Sequence, residues 1–505
     1  MRFSWFITIS YQKEEILLKN QAFNPYLPLN EYVPDGEPHI FGERLYIFGS
    51  HDEFGGKNYC ANDYVCYSTP IDDLSQWHFE GYIYHKTQDP LNPEGKYKMY
   101  APDVVQGEDG RFYLYYGFDE FISQVSIAVC DTPAGKYEYY GVVSHPDGTP
   151  LGKKKGDSYQ FDPGIFIDED KKIWLYTGFS PKTEFIEYVT KHFSGIDFVF
   201  SGMGSDVVEL AEDMKTIISE PKKLIPGWEN SKGTGFEDHE FFEASSLRKF
   251  DGRYYFIYST LANHELAYAV SDYPDRNFVY GGLLHSNADI GYRGNTVAKA
   301  YGGNNHGSLI KILDHYYIFG HRQTGYTEYS RQGVAEKIDL DSDGSFKMVE
   351  MTSCGLNDGP LKGIGHYNTG IACNLWSTKG AMKIFDLMIA KDQENHPCIT
   401  QSGVDREDNP DQYITNMKYG ATAGFKYFDF TSPKEIRIEV RGAGTGKMIV
   451  KTDEQSNIIA EIPVSPSTNW TTLTTPLTTN LVGVLPLFFE YKGSASIEFR
   501  SFEII

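Results

Sequence analysis

Residues 239–259 read HEFFEASSLRKFDGRYYFIYS. A carboxylate, Glu243, heads a short strand, a Lys-Phe-Asp-Gly turn follows, and an aromatic strand returns. Two strand-like runs joined by a short Asp-Gly turn form a β-hairpin. Four other stretches repeat the pattern: GEPHIFGERLYIFGS (36–50), APDVVQGEDGRFYLYYG (101–117), FDPGIFIDEDKKIWLYTG (161–178) and NNHGSLIKILDHYYIFGH (304–321). Their polar heads are Asp35 with Glu37, Asp103, Asp162, and Asn305 with His306. Successive heads lie about 60 to 80 residues apart, room for a four-stranded sheet and its loops. Five such units arranged radially predict a five-bladed β-propeller, in which the first strand of each blade lines the axis. The five heads then converge at one end of that axis.

The wider chain agrees with an all-β protein. Aromatic residues make up 15% of its 505 residues, and Gly is frequent at 49. Helix signals are few, and DMKTI around Met214 reads as a short turn. From about Leu356 the pattern changes. A Gly-rich connection, GLNDGPLKGIGHYN, leads into short alternating strands such as IRIEVRG, GKMIVKT, LFFEYKG and SIEFRSFEI. These predict a β-sandwich of the jelly-roll type. The expected division is a leader over 1–21, a propeller over 22–355 and a sandwich over 356–505. The leader carries one Arg and a short apolar run without a clear cleavage site, so a surface-packed segment and a weak export signal both stay open.

A net charge of −23 argues against nucleic acid or an anionic membrane as partner. A neutral sugar suits it better. The six cysteines are scattered, with no CxxC pair, which points away from structural zinc and toward free thiols in a reducing, cytoplasmic setting rather than secretion. Oligomeric state is not legible.

Three acids converging from different blades are what glycosidic hydrolysis uses. One carboxyl protonates the leaving oxygen, a second activates water or attacks the sugar, and a third tunes the donor. Acids at strand heads also cap turns, so any one of them alone has a structural explanation.

The motifs NPYLP with VPDGEPHIF, MYAPDVV, QFDPGIF, HEFFEASSLRKFDGRYYFIYS and NNHGS resemble the blade motifs of glycoside hydrolase family 43, over about residues 22–350. The resemblance implies inverting hydrolysis by an exo-acting enzyme. The expected reaction removes α-L-arabinofuranosyl groups from plant arabinoxylan or arabinan oligosaccharides, with β-xylosidase action as the alternative. It implies Glu243 as general acid and Asp162 as the acid that tunes and orients it. The general base is expected in the first blade, where an Asp directly before Pro is the family's rule. This chain has Asp35-Gly36-Glu37-Pro38, so Asp35 and Glu37 both stay candidates. Asp52, Asp103, His239 and Arg322 are the expected substrate contacts. His306 is the expected metal residue, holding calcium at the axis through water. The sandwich is similar to carbohydrate-binding modules, and a loop from it reaching the funnel is one expectation. A propeller that binds sugar without cleaving it is the competing class.

Overall fold

The computed structural model describes residues 21–192, 199–383, 393–407 and 410–505. The expected leader lies almost wholly outside them. Each hairpin motif opens a radial sheet. Blade 1 comprises β1 (Glu37–Phe41), β2 (Arg44–Phe48), β3 (Tyr64–Pro70) and β4 (His78–Tyr84). Blade 2 holds β5 (Asp103–Gln106), β6 (Phe112–Tyr116), β7 (Ser126–Cys130) and β8 (Glu138–Val142). Blade 3 runs from β9 (Gly164–Ile167) and β10 (Ile173–Thr177) to β11 (Asp206–Leu210) and a two-residue β12 (Lys222–Lys223). Blade 4 has β13 (Phe241–Phe250), β14 (Arg253–Thr260), β15 (Leu266–Ser271) and β16 (Val279–His285). Blade 5 has three strands, β17 (Leu309–Ile312), β18 (His315–Gln323) and β19 (Arg331–Ile338).

Every blade is an antiparallel meander, so its inner strand comes directly from the motif head. The aromatic second strands pack between neighbouring blades: Tyr113 and Tyr115 contribute to the core shared with blade 3, and Tyr176 to the one shared with blade 4. Backbone contacts join blade 5 to the start of the chain. Gly36 bridges Gly307, and the Tyr26 amide donates to the Gly333 carbonyl along the free edge of β19.

One amphipathic helix, Thr183–His192, lies between β10 and β11 where the sequence reading expected none. Glu184 in its first turn and Lys191 and His192 in its last complement the helix dipole, a signal that was present in the sequence. The segment around Met214 is a turn, as expected.

The C-terminal strands form two six-stranded sheets around one Phe-rich core that includes Phe425, Phe428, Phe489, Phe499 and Phe502. Strands 411–417, 435–442 and 497–504 lie in one sheet, and strands 422–431, 445–451 and 482–494 in the other. The chain thus crosses repeatedly between layers, which is a jelly-roll path.

Candidate active site

The heads of blades 1, 3 and 4 deliver their acids through irregular backbone. Asp35 and Asp162 sit in the left-handed region, at φ +56° and +44°, which Asp tolerates better than most residues. Each therefore turns out of the line of the strand that follows. Glu243 stands where β13 slips register against β14, and Ala244 beside it has φ +68°. A bulge re-aims a side chain that an ordinary strand would point into the sheet. The Ala244 amide then donates to Asp162 Oδ2 at 3.2 Å, tying the blade 4 bulge to blade 3.

These three acids are in different electrostatic states. Burial pushes the Asp35 carboxyl up, but Arg331, His321 and His306 together overcome this and hold it well below the usual range. Arg331 Nη1 lies 3.0 Å from Asp35 Oδ1. His321 Nε2 donates to the Asn304 carbonyl at 2.6 Å, and its Nδ1 lies 3.2 Å from Asp35 Oδ1. Burial raises Glu243 far above the usual carboxylate value, and the charges of Asp162 and Asp35 add to it. Asp162 is raised too, by burial and by Asp35, against the pull of His306. Glu243 is only partly buried, whereas Asp35 and Asp162 are each 5% exposed. The set pairs a carboxyl held low by its cationic neighbours with one pushed up by burial and by neighbouring acids.

Glu37 is in a different place from Asp35. It is 1% exposed, and its Oε2 accepts from Arg248 Nη2 at 2.6 Å and Ser246 Oγ at 3.0 Å. His306 lies between the heads, with Nδ1 3.5 Å from Asp162 Oδ2 and Nε2 3.6 Å from Glu37 Oε1. Burial opposes its charge, but these carboxylates raise it well above the usual histidine value. Calcium takes oxygen ligands, so an ion at the axis would meet His306 through water, as the resemblance implies.

The other expected residues separate. Asp103 is buried deeper, bonded to His39 Nε2 at 2.7 Å and to the Ile165 amide at 2.8 Å. Asp52 is fully buried and grips Arg331 twice, Nε to Oδ2 at 2.9 Å and Nη2 to Oδ1 at 3.0 Å. Both acids act within the wall rather than on its face. Arg322 points away from the funnel, donating to Gln332 Oε1 and to the carbonyls of Ala372 and Gly370 at the sandwich. His239 stacks on Tyr280 of the outermost strand of blade 4, ring centroids 4.6 Å apart.

The residues that the sequence reading missed are Arg331, His321, Arg248 and Tyr59. Tyr59 lies under the Arg331 guanidinium, 4.8 Å from ring centroid to carbon, with Tyr329 edge-on at 4.8 Å. Arg331 had a signal. It heads RQGVAEKI, a strand buried almost throughout, as the acids head theirs.

A propeller whose axial end gathers carboxyls pushed in opposite directions by their surroundings has the constitution of a glycosidase. The sequence matches the family model for glycosyl hydrolases family 43 over residues 30–346, and the chain belongs to that family of glycoside hydrolases. It is 48% identical over 490 residues to a xylosidase/arabinosidase of Thermoclostridium stercorarium, covering 96% of this chain and 99% of that one. A family 43 enzyme of Xanthomonas citri in complex with xylotriose shares the fold at 23% identity and TM-score 0.51, over 64% of this chain and 93% of the other. A calcium-free β-xylosidase/α-arabinofuranosidase from a compost metagenome aligns at 24% identity and TM-score 0.49, over 64% and 96%.

Proposed function

We propose that the chain is an inverting, exo-acting glycosidase that removes terminal α-L-arabinofuranosyl groups from arabinoxylan or arabinan oligosaccharides. The observation that carries the mechanism is the Arg331 contact on Asp35, with surroundings that push the Asp35 carboxyl down and the Glu243 carboxyl up. Asp35, held ionised by Arg331, accepts a proton from a water molecule as that water's oxygen bonds to the anomeric carbon. Glu243 gives its proton to the leaving oxygen as the glycosidic bond breaks. Asp162 orients Glu243 through the Ala244 amide and raises its proton affinity. Glu37 is the weaker candidate for base, because Arg248, Ser246 and His306 already engage its carboxylate.

β-Xylosidase action is the second reading, supported by the double name of the 48% identical relative. Residues 22–355 would carry the chemistry, with 356–505 as their brace. Hydrolysis of 4-nitrophenyl α-L-arabinofuranoside and β-D-xylopyranoside, side by side, tests the sugar. Faster turnover of the arabinofuranoside is expected. Faster turnover of the xyloside exchanges the two readings, and cleavage of neither sinks both.

A further inference from the structure

One turn of the sandwich returns to the propeller beside the candidate base. Asp405 on that turn accepts the Phe54 amide at Oδ1, 2.8 Å, and Asn62 Nδ2 at Oδ2, 3.0 Å. Phe54 lies within, and Asn62 near the end of, the loop over 49–63 that joins β2 to β3 in blade 1. One carboxylate therefore ties two points of the loop together. Asn62 Nδ2 also donates to the Asp52 carbonyl at 2.9 Å, and the Cys60 amide, inside the loop, donates to Asp52 Oδ1 at 2.9 Å. Asp52 takes two nitrogens of Arg331 and leaves Nη1 for Asp35. The path runs from half-buried Asp405 and Asn62 through buried Asp52 and Arg331 to Asp35.

A second arm reaches the same point. Arg406 Nη1 lies 2.8 Å from both oxygens of Glu31, and the carbonyl of nearby Tyr32 accepts the Asp52 amide at 2.9 Å. The hydroxyl of Tyr32 donates to Gln401 of the sandwich at 2.9 Å. The family match ends at residue 346, so Asp405 and Arg406 lie beyond it.

We propose that Asp405, although it lies in the sandwich, is a positioning residue for hydrolysis in the propeller: it fixes the Asp52–Asn62 loop and so holds Arg331 against Asp35. The proposal rests on Asp35 as the base. Arg331 Nη1 and His321 Nδ1 together set the direction of Asp35 Oδ1, so looseness in the arginine's anchor misaligns the attacking water. Misplacement of about 1 Å costs on the order of 100-fold in rate.

The test compares Asp405→Ala and Asn62→Ala with Glu350→Gln, using whichever nitrophenyl glycoside the wild type cleaves. Glu350 pairs with Lys426 of the sandwich at 2.7 Å, away from this path, so its loss weakens docking alone. Asp405→Ala is expected to lower kcat by about ten- to a hundredfold with KM within about twofold of wild type. Asn62→Ala should do the same, and the double variant should be no worse than either, since both break one path. Glu350→Gln should lower Tm and leave kcat unchanged. Wild-type kcat in Asp405→Ala, or an equal kcat loss in Glu350→Gln at equal Tm, overturns the proposal. If Asp405→Ala does not fold, Asn62→Ala and Asp405→Asn decide by the same criteria. Activity retained by Asp35→Asn would instead remove the base on which the proposal rests, a separately visible failure.

Discussion

The neighbours of Asp35 push its carboxyl down and those of Glu243 push its carboxyl up, the states that the proposed base and acid need. Activity needs Asp35 without its proton and Glu243 with it. The acid limb of kcat/KM should therefore fall below the ordinary carboxylate range, and the alkaline limb well above it. Asp162→Asn removes a negative charge that raises Glu243. The expected result is an alkaline limb moved to lower pH, with kcat down by about ten- to a hundredfold, read from a pH–rate profile. An unmoved limb would detach Asp162 from Glu243. The acids were legible in the sequence because a charge at the head of an apolar strand is conspicuous. The arginine was misread by a face, not by a motif. Across the blade 5 hairpin Arg322 pairs with Gln332 and Gln323 with Arg331, so the two arginines lie on opposite faces. Periodicity shows that the faces differ and does not say which one meets the funnel.

The elements that hold these residues are departures from regular strands. The bulge at Glu243 works because blade 3 comes very close. A Cβ on Gly164 would lie 2.2 Å from the Ser245 carbonyl oxygen. Gly164→Ala must push the inner strand of blade 3 away from the bulge and with it the bond between the Ala244 amide and Asp162. Destabilisation of about 1–3 kcal/mol, read by denaturant titration, and a fall in kcat beyond that of an equally destabilised distant variant are expected. Unchanged stability would mean that the blades separate freely there. The hairpins were readable from their turns. The register slips at Glu243 were not, because two slipped residues look like an ordinary strand in FFEASS. The Thr183–His192 helix was missed because it sits in a long interstrand connection where β periodicity was being followed.

At the scale of the whole molecule, propeller and sandwich are joined by buried charge. Burial favours the neutral form of Glu31, but His51, Arg406 and Tyr67 outweigh it and bring the carboxyl down to about 2. Because the folded value lies below the unfolded one, the stability this gives is complete above about pH 4.5 and is lost as pH falls toward about 2. Arg406→Ala should raise the pH of acid unfolding and cost about 2 kcal/mol near neutrality, since Glu31 keeps His51 and Tyr67. An unshifted acid midpoint would show that Arg406 does not hold the two parts together. Alternating strands announced the sandwich, but no local pattern announces that VDRE at 404–407 returns to blade 1, because that contact lies about 350 residues away along the chain.

The central claim is that Asp35 activates the water and that its neighbour Glu37 supports the wall beneath it. The most direct test is kcat/KM of Asp35→Asn and Glu37→Gln on the preferred nitrophenyl glycoside, with folding checked by circular dichroism. A loss of about 10³-fold or more in folded Asp35→Asn is expected, with a smaller loss in Glu37→Gln accompanied by lower stability. A folded Asp35→Asn that keeps its activity, beside an inactive and fully stable Glu37→Gln, would contradict the account and move the base two residues along the chain.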